Sequence, residues 1–167
     1  AKAGLQWMRD NKKQVSLHAN DIHPGALKIM ESSLSAAGLQ SLVQTSNLDC
    51  YDMGLVNDAD NQENSKYVVV TNPPWGVRLT EDIEDSWEGL RHYLRDTCPS
   101  GTEAWVLSGD KGATKLLKLR RERMIPIQTG DQTLRWIQYT IRSSEADDQT
   151  ASPKVTSKRK VEQADSW

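Results

Sequence analysis

Two successive prolines between an asparagine and a tryptophan mark the most chemically pointed stretch of the chain, Thr71-Asn72-Pro73-Pro74-Trp75-Gly76-Val77-Arg78-Leu79. Each proline fixes φ and keeps the residue before it extended, so the backbone here is rigid. Rigidity turns the Asn72 side chain and the Pro73 carbonyl into fixed hydrogen-bond acceptors. An exocyclic amine on a nucleobase is a poor nucleophile because its lone pair is delocalised into the ring. Two acceptors gripping its N–H groups favour a pyramidal nitrogen whose lone pair can point at an electrophilic methyl group. Trp75 offers a flat apolar face for a base taken out of its stack. The rate gain then comes from positioning and from electrostatics set up in advance. The plain alternative is a rigid turn with a packed tryptophan.

Two carboxylates suit the other half of such a reaction. Asp21 follows the strand read from Val15 to Ala19 and precedes Pro24, which suits the first turn of a helix. An acid at that point can accept hydrogen bonds from both hydroxyls of a ribose; it can equally cap the helix. Asp49, in Asp49-Cys50-Tyr51-Asp52-Met53, can accept from an adenine amino group. Asn47 can do the same, and a solvated loop aspartate is the bland reading. His18, His23 and His92 show no metal spacing, and no metal site is expected.

These residues need a scaffold that holds them at strand ends. Strands are expected at Val15 to Ala19, Leu42 to Thr45, Tyr67 to Thr71 (a continuous buried run), Glu103 to Ser108, Ile125 to Gln128 and Leu134 to Arg142. Between them, helices are expected from Pro24 to Gly38, with Leu27, Ile29, Met30 and Leu34 at its apolar positions, from Asp82 to Asp96, with Trp87, Leu90, Tyr93 and Leu94 on one face, and from Lys111 to Lys118. Leu5, Trp7 and Met8 suggest the tail of another helix. Trp87 and Trp105 are expected in the core. Alternation of this kind predicts an α/β doubly wound sheet, mostly parallel, closed by an antiparallel hairpin with Thr129-Gly130-Asp131 as its turn. Ligands in such sheets bind beyond the carboxyl ends of the strands. The segment from Asn57 to Ser65 reads as a loop. Residues 1–142 are expected to form the catalytic part, and residues 143–167 a disordered polar tail too poor in apolar groups to order itself.

Composition sets outer bounds. The 167 residues carry a formal net charge of −2, so no global basic field points to nucleic acid. The basic cluster Lys111, Lys115, Lys118, Arg120, Arg121 and Arg123 can meet phosphates locally, though such runs are commonly just solvated faces. Cys50 and Cys98 form no disulfide framework and read as reduced thiols of an intracellular protein. No apolar run reaches membrane-spanning length.

The order Asn20-Asp21-Ile22-His23-Pro24, then Asp49, then Asn72 through Leu79 resembles the Rossmann-like class I methyltransferases. It looks most like the RNA guanine-N2 branch, which includes bacterial large-subunit ribosomal RNA enzymes and relatives with a THUMP domain. The Gly-x-Arg-Leu continuation and the later Leu107-Ser108-Gly109-Asp110, Leu119-Arg120, Pro126, Thr129-Gly130 and Arg135 point to that branch. The Asn-Pro-Pro-aromatic core is shared with adenine-N6 and protein-glutamine methyltransferases. The resemblance implies S-adenosylmethionine (S-adenosyl-L-methionine) as cofactor, held by Asp21, Ile22, Asp49 and Asn72. It implies Asn72, Pro73, Pro74 and Trp75 as the catalytic segment, with Trp75 and Arg78 against an RNA substrate, rRNA or tRNA. Membrane and metal are not expected, and an RNA-recognition domain can precede this region in a parent chain. His23 stands where the family usually has a second acid, and Trp75 where it usually has tyrosine. The glycine-rich opening of such enzymes (Asp-Pro-x-Cys-Gly-x-Gly-like) has no counterpart before Val15, so the expectation is the later two-thirds of a catalytic domain without its first strand. A non-catalytic remnant that binds RNA or a partner is the competing class.

Overall fold

The computed structural model describes residues 2–11, 15–55, 65–74, 83–110 and 112–142. Residues 57–64 of the expected loop, the stretch Trp75 to Asp82 with Arg78, Lys111, and the tail 143–167 lie outside the described residues.

The chain opens with helix α1 (Lys2–Asp10), strand β1 (Leu17–Asn20), helix α2 (Pro24–Ala36) and strand β2 (Val43–Ser46). Proline at the start of α2 costs no hydrogen bond there. At its end Gly38 adopts φ 70, and the Leu39 N–H reaches back to the Leu34 carbonyl at 2.8 Å. β1 and β2 pair in parallel, with Leu17 opposite Val43 and Asn20 opposite Ser46. A parallel pair with a helical crossover is the expected βαβ unit.

The second group is strand β3 (Val68–Thr71), helix α3 (Ile83–His92), a π-helical turn (Tyr93–Thr97), strand β4 (Glu103–Ser108), the short helix α4 (Ala113–Leu116), and strands β5 (Arg121–Thr129) and β6 (Gln132–Thr140). These strands form one sheet in the order β3-β4-β6-β5, separate from the β1-β2 pair. β3 runs parallel to β4, whereas β6 is antiparallel to both β4 and β5. The α/β architecture is as expected, but among the described residues two strand pairings are parallel and two antiparallel, so "mostly parallel" overstates it. β1 and β3 each have one strand neighbour among the described residues, which leaves each with one edge unpaired there.

The core lies on one face of the four-stranded sheet. Trp87, Leu90 and Leu94 pack with Cys98, Ala104, Val106, Ala113, Leu117, Ile137, Tyr139 and Ile141. β4 shows why: its Ala104, Val106 and Ser108 are buried while the alternating Glu103, Trp105 and Leu107 are only partly so. Burying the larger aliphatic ones, such as Leu94, Val106, Leu117 and Ile137, stabilises by about 1.5–3 kcal/mol each before entropy is counted.

Four expectations need correction. Val68 and Val70 are 61% and 65% exposed, and only Val69 of that run packs on the core, because β3 has one paired edge and one covered face. Trp105 is not in the core; it stacks on Trp136 across the β4-β6 ladder with ring centroids 5.9 Å apart. The helix expected from Lys111 to Lys118 is only Ala113–Leu116, since Lys118 turns to φ 50 and ends it. Strand β5 reaches further than the expected Ile125 to Gln128, because an exposed edge strand needs no apolar alternation, while β6 starts and ends two residues earlier than expected.

Candidate active site

At the carboxyl end of β1, Asn20 ties two chain segments together. Its Oδ1 accepts from the Ser46 hydroxyl at 2.6 Å and from the Leu48 N–H at 3.0 Å, and its Nδ2 donates to the Leu48 carbonyl at 2.9 Å. His18 Nε2 meets the same Ser46 hydroxyl at 2.9 Å. Asn20 therefore fixes the loop leaving β2 against the loop leaving β1. Sequence reasoning assigns it no role, although a polar residue at a strand end beside Asp21 is the available signal.

Asp21 comes next. Its Oδ1 accepts from the His23 N–H at 2.8 Å, while its own carbonyl accepts from Asn47 Nδ2 at 2.6 Å. The capping of α2 falls to His23, whose Nδ1 accepts from the Gly25 and Ala26 N–H groups at 3.1 and 3.4 Å. The capping role considered for Asp21 thus belongs to His23, and the described contacts of the carboxylate engage Oδ1 alone. Ile22 is 62% exposed beside it, an apolar surface next to an acceptor. This bond uses the Asn47 amide nitrogen as donor and leaves its amide oxygen an acceptor, so Asn47 stays beside Asp49 as an acceptor for a ligand.

Asp49 closes a tight turn: its Oδ1 accepts from the Tyr51 N–H at 3.0 Å and its carbonyl from the Asp52 N–H at 3.0 Å. The turn sets Cys50 and Tyr51 against α3. A Cβ placed on Gly89 would lie 3.2 Å from Tyr51 Cε2 and 3.4 Å from Cys50 Cβ, so glycine permits the close approach. The Tyr51 ring also meets His92 at 5.3 Å between centroids. Burial pushes the Cys50 thiol pKa up, with the Asp49 charge adding to it. These contacts link the loop after β2 to the helix that follows the Asn-Pro-Pro segment.

That segment leaves the end of β3. Asn72 is exposed and Pro73 buried, so the chain sinks immediately after the asparagine. The Pro74 carbonyl accepts from the Trp87 indole N–H at 2.8 Å. Asn72, Pro73 and Pro74 thus stand at the carboxyl end of β3, as Asp21 and Asp49 follow β1 and β2. Beyond β4, the buried Ser108 hydroxyl donates to the Asp110 carbonyl at 2.9 Å, and Asp110 Oδ1 accepts from the Gly112 and Ala113 N–H groups at the start of α4. The loops after β1, β2 and β4 are therefore braced by their own polar side chains, and the one after β3 is held by Trp87 of α3. No group of three or more His, Cys, Asp or Glu residues suited to a metal occurs among the described residues.

The basic residues are strung along the chain from α4 to the start of β5. Lys115, Lys118, Arg120, Arg121 and Arg123 are exposed, but Arg121 aligns through Tyr139 with Ala104, near the amino end of β4. That is the end of the sheet opposite Asn72. No described helix is long and apolar enough to cross a membrane.

Comparison with known proteins gives this geometry a family context. Residues 2–138 match the family profile described as an RMKL-like methyltransferase domain. The ribosomal RNA large subunit methyltransferase K/L of Allochromatium vinosum is 27% identical over 143 residues, covering 84% of this chain and 19% of that protein. Among solved structures, SMU.472 in complex with SAH superposes with a TM-score of 0.63 at 15% identity, covering 77% of this chain and 32% of that one. A Listeria monocytogenes protein described as an N6-adenine-specific DNA methylase superposes with a TM-score of 0.57 at 21% identity, covering 78% and 32%. The chain spans about one-fifth of the curated relative it matches and about one-third of these two structures.

Proposed function

Because the chain belongs to the RMKL-like methyltransferase domain family, we propose that it forms part of an enzyme that methylates an exocyclic amine of a base in RNA. S-adenosylmethionine is the methyl donor in this reading, and the N2 amine of guanine, in rRNA or tRNA, is the acceptor. The observation that carries it is the exposed Asn72 joined to the buried Pro73 at the carboxyl end of β3, with Asp21 and Asp49 after β1 and β2 and the turn at Asp49 packed on the same helix α3 that holds Pro74. The large-subunit rRNA relative and the SAH-bound structural neighbour support the substrate class and the cofactor.

The donor set fits the adenosine half of that cofactor. Asp21, with Oδ1 on the His23 N–H, has its second oxygen available for a ribose hydroxyl. Ile22 offers apolar surface, and Asp49 offers an acceptor for an adenine amino group. S-adenosylmethionine supplies an electrophilic methyl on a sulfonium centre. Asn72 Oδ1 and the Pro73 carbonyl accept the two N–H bonds of the target amine and orient its lone pair. In this reading Trp75 would supply the stacking face for the base and Arg78 would contact the RNA. No strong base is needed, since the methylated amine is cationic and loses its proton readily to water.

Two measurements test the proposal. Calorimetric titration of the chain with S-adenosylmethionine should give saturable binding that Asp21→Ala weakens at least tenfold. Radiolabel transfer to rRNA and tRNA, followed by nucleoside analysis, should give N2-methylguanosine, with Asn72→Ala losing more than 99% of the rate while still binding cofactor. Methylated adenosine or methylated glutamine as the product would replace guanine-N2 with one of the other acceptors that share the motif. A folded chain that binds no cofactor would favour the non-catalytic remnant.

A further inference from the structure

Trp87 is fully buried among Leu90, Leu94, Val106 and Leu117, and its polar Nε1–H is spent on the Pro74 carbonyl at 2.8 Å. A buried indole N–H needs a partner, and this one takes it from a segment with very little backbone freedom. In Pro73-Pro74 both φ angles are locked, which leaves ψ as the soft dihedral at each proline. The Pro74 carbonyl lies in the peptide plane leading to residue 75. Holding that carbonyl fixes ψ of Pro74, and with φ of Pro74 locked this orients the Pro73 carbonyl; Asn72 is tied to the anchored unit through ψ of Pro73 and its own ψ, which the following proline restricts.

We propose that Trp87 is a positioning residue for the amine-binding segment, its indole N–H setting the orientation of Asn72 and the Pro73 carbonyl through the Pro74 peptide plane. The inference rests on the reading of Asn72–Pro74 as the site of amine binding. It adds a residue of α3, thirteen positions from Pro74, to the machinery. It also accounts for tryptophan at a core position where leucine or phenylalanine would satisfy packing alone. A structural role acts through ring volume; a positioning role acts through the N–H.

Substitutions that separate volume from the donor decide between them. Trp87→Phe removes the N–H and part of the ring, while benzothienylalanine at position 87 keeps the bicyclic shape and removes only the donor. In the methyl-transfer assay, both should lower kcat by about ten- to a hundred-fold, the scale expected for misplaced reacting groups, with KM for S-adenosylmethionine within twofold of the wild type. By NMR, independently of turnover, the Pro74 carbonyl carbon and the Asn72 side-chain amide should shift in the benzothienylalanine protein while core methyl signals stay in place. Unchanged Asn72 signals overturn the proposal whether or not the chain is active. So does wild-type kcat in a folded benzothienylalanine protein. Shifted Asn72 signals in a chain that transfers no methyl group would retain the positioning contact and refute the catalytic reading.

Discussion

At the scale of single residues, polar contacts at strand ends and buried titratable groups respond to conditions in different ways. Cys98 is buried at the foot of the core, and its thiol meets the Tyr93 side chain. Burial pushes the Cys98 thiol from 9.0 up to about 11, against a smaller lowering by the Tyr93 hydrogen bond. Burial likewise pushes Tyr93 from 10.0 to about 12, with Cys98 adding to the rise. Both groups are neutral when protonated, so the folded state holds its protons to higher pH than the unfolded chain. Stability is therefore undiminished by these groups below pH 9 and falls as pH rises through about 11 and 12. For Cys98 the loss should be on the order of 1–2 kcal/mol between pH 9 and pH 11. Urea midpoints at pH 8 and pH 10.5 should drop less in Cys98→Ala than in the wild type, after allowing for the lower starting stability of the variant. An identical drop in both proteins would remove Cys98 from the account. The same burial keeps the thiol protonated and slow to alkylate at neutral pH.

At the scale of elements, α3 joins two parts of the site that lie far apart in sequence. Trp87 holds the Pro74 carbonyl from one position, and Gly89 admits Tyr51 and Cys50 at another. Gly89→Ala gains helix propensity of up to about 1 kcal/mol and asks a half-exposed Tyr51 ring to move by a few tenths of an ångström, so its stability should hardly change. Gly89→Leu cannot be absorbed that way. It should displace the Asp49–Tyr51 turn and weaken S-adenosylmethionine binding several-fold, with methyl transfer at saturating cofactor affected less. Calorimetry on the two variants checks this, and equal affinities would show that the turn does not shape the cofactor site. The difference between what is and is not legible in the sequence follows the same line. The strand-end positions of Asp21 and Asn72, and that of Asp49 three residues past β2, can be read from sequence because each is a polar residue that follows a strand pattern, a local signal. The close fit at Gly89 and the indole on Pro74 cannot, because they depend on which helix face meets which loop. Among the elements, Glu103 to Ser108 is plain from its Ala-Trp-Val-Leu run, whereas Arg121 to Thr129 is half hidden because an exposed edge strand carries no apolar pattern. The valines of β3 mislead in the other direction: their run reads as buried on both faces, yet two of them face outward.

At the scale of the whole molecule, those outward valines carry a physical consequence. β3 pairs with β4 along one edge, and its other edge is unpaired among the described residues, with Val68 and Val70 more than half exposed. Unpaired main-chain N–H and C=O groups flanked by β-branched side chains form a template on which another strand can dock. Natural edge strands blunt that tendency with charge or proline, and the run Val68-Val69-Val70 has neither. By contrast β5, the other edge of the same sheet, carries Arg121, Glu122, Arg123 and Pro126 and is protected in that way. Association of the chain should therefore proceed through β3 and rise with concentration. Val70→Lys places a charge on the exposed face without touching the core that Val69 supports, so the thermal midpoint should move by no more than a degree or two. Sedimentation velocity across a concentration series should show a larger monomer fraction for Val70→Lys than for the wild type, while a lysine at the already charged β5 edge, Gln128→Lys, should leave the distribution unchanged. If Gln128→Lys dispersed the chain as well as Val70→Lys did, net charge would be the cause, and the β3 edge would lose its special role.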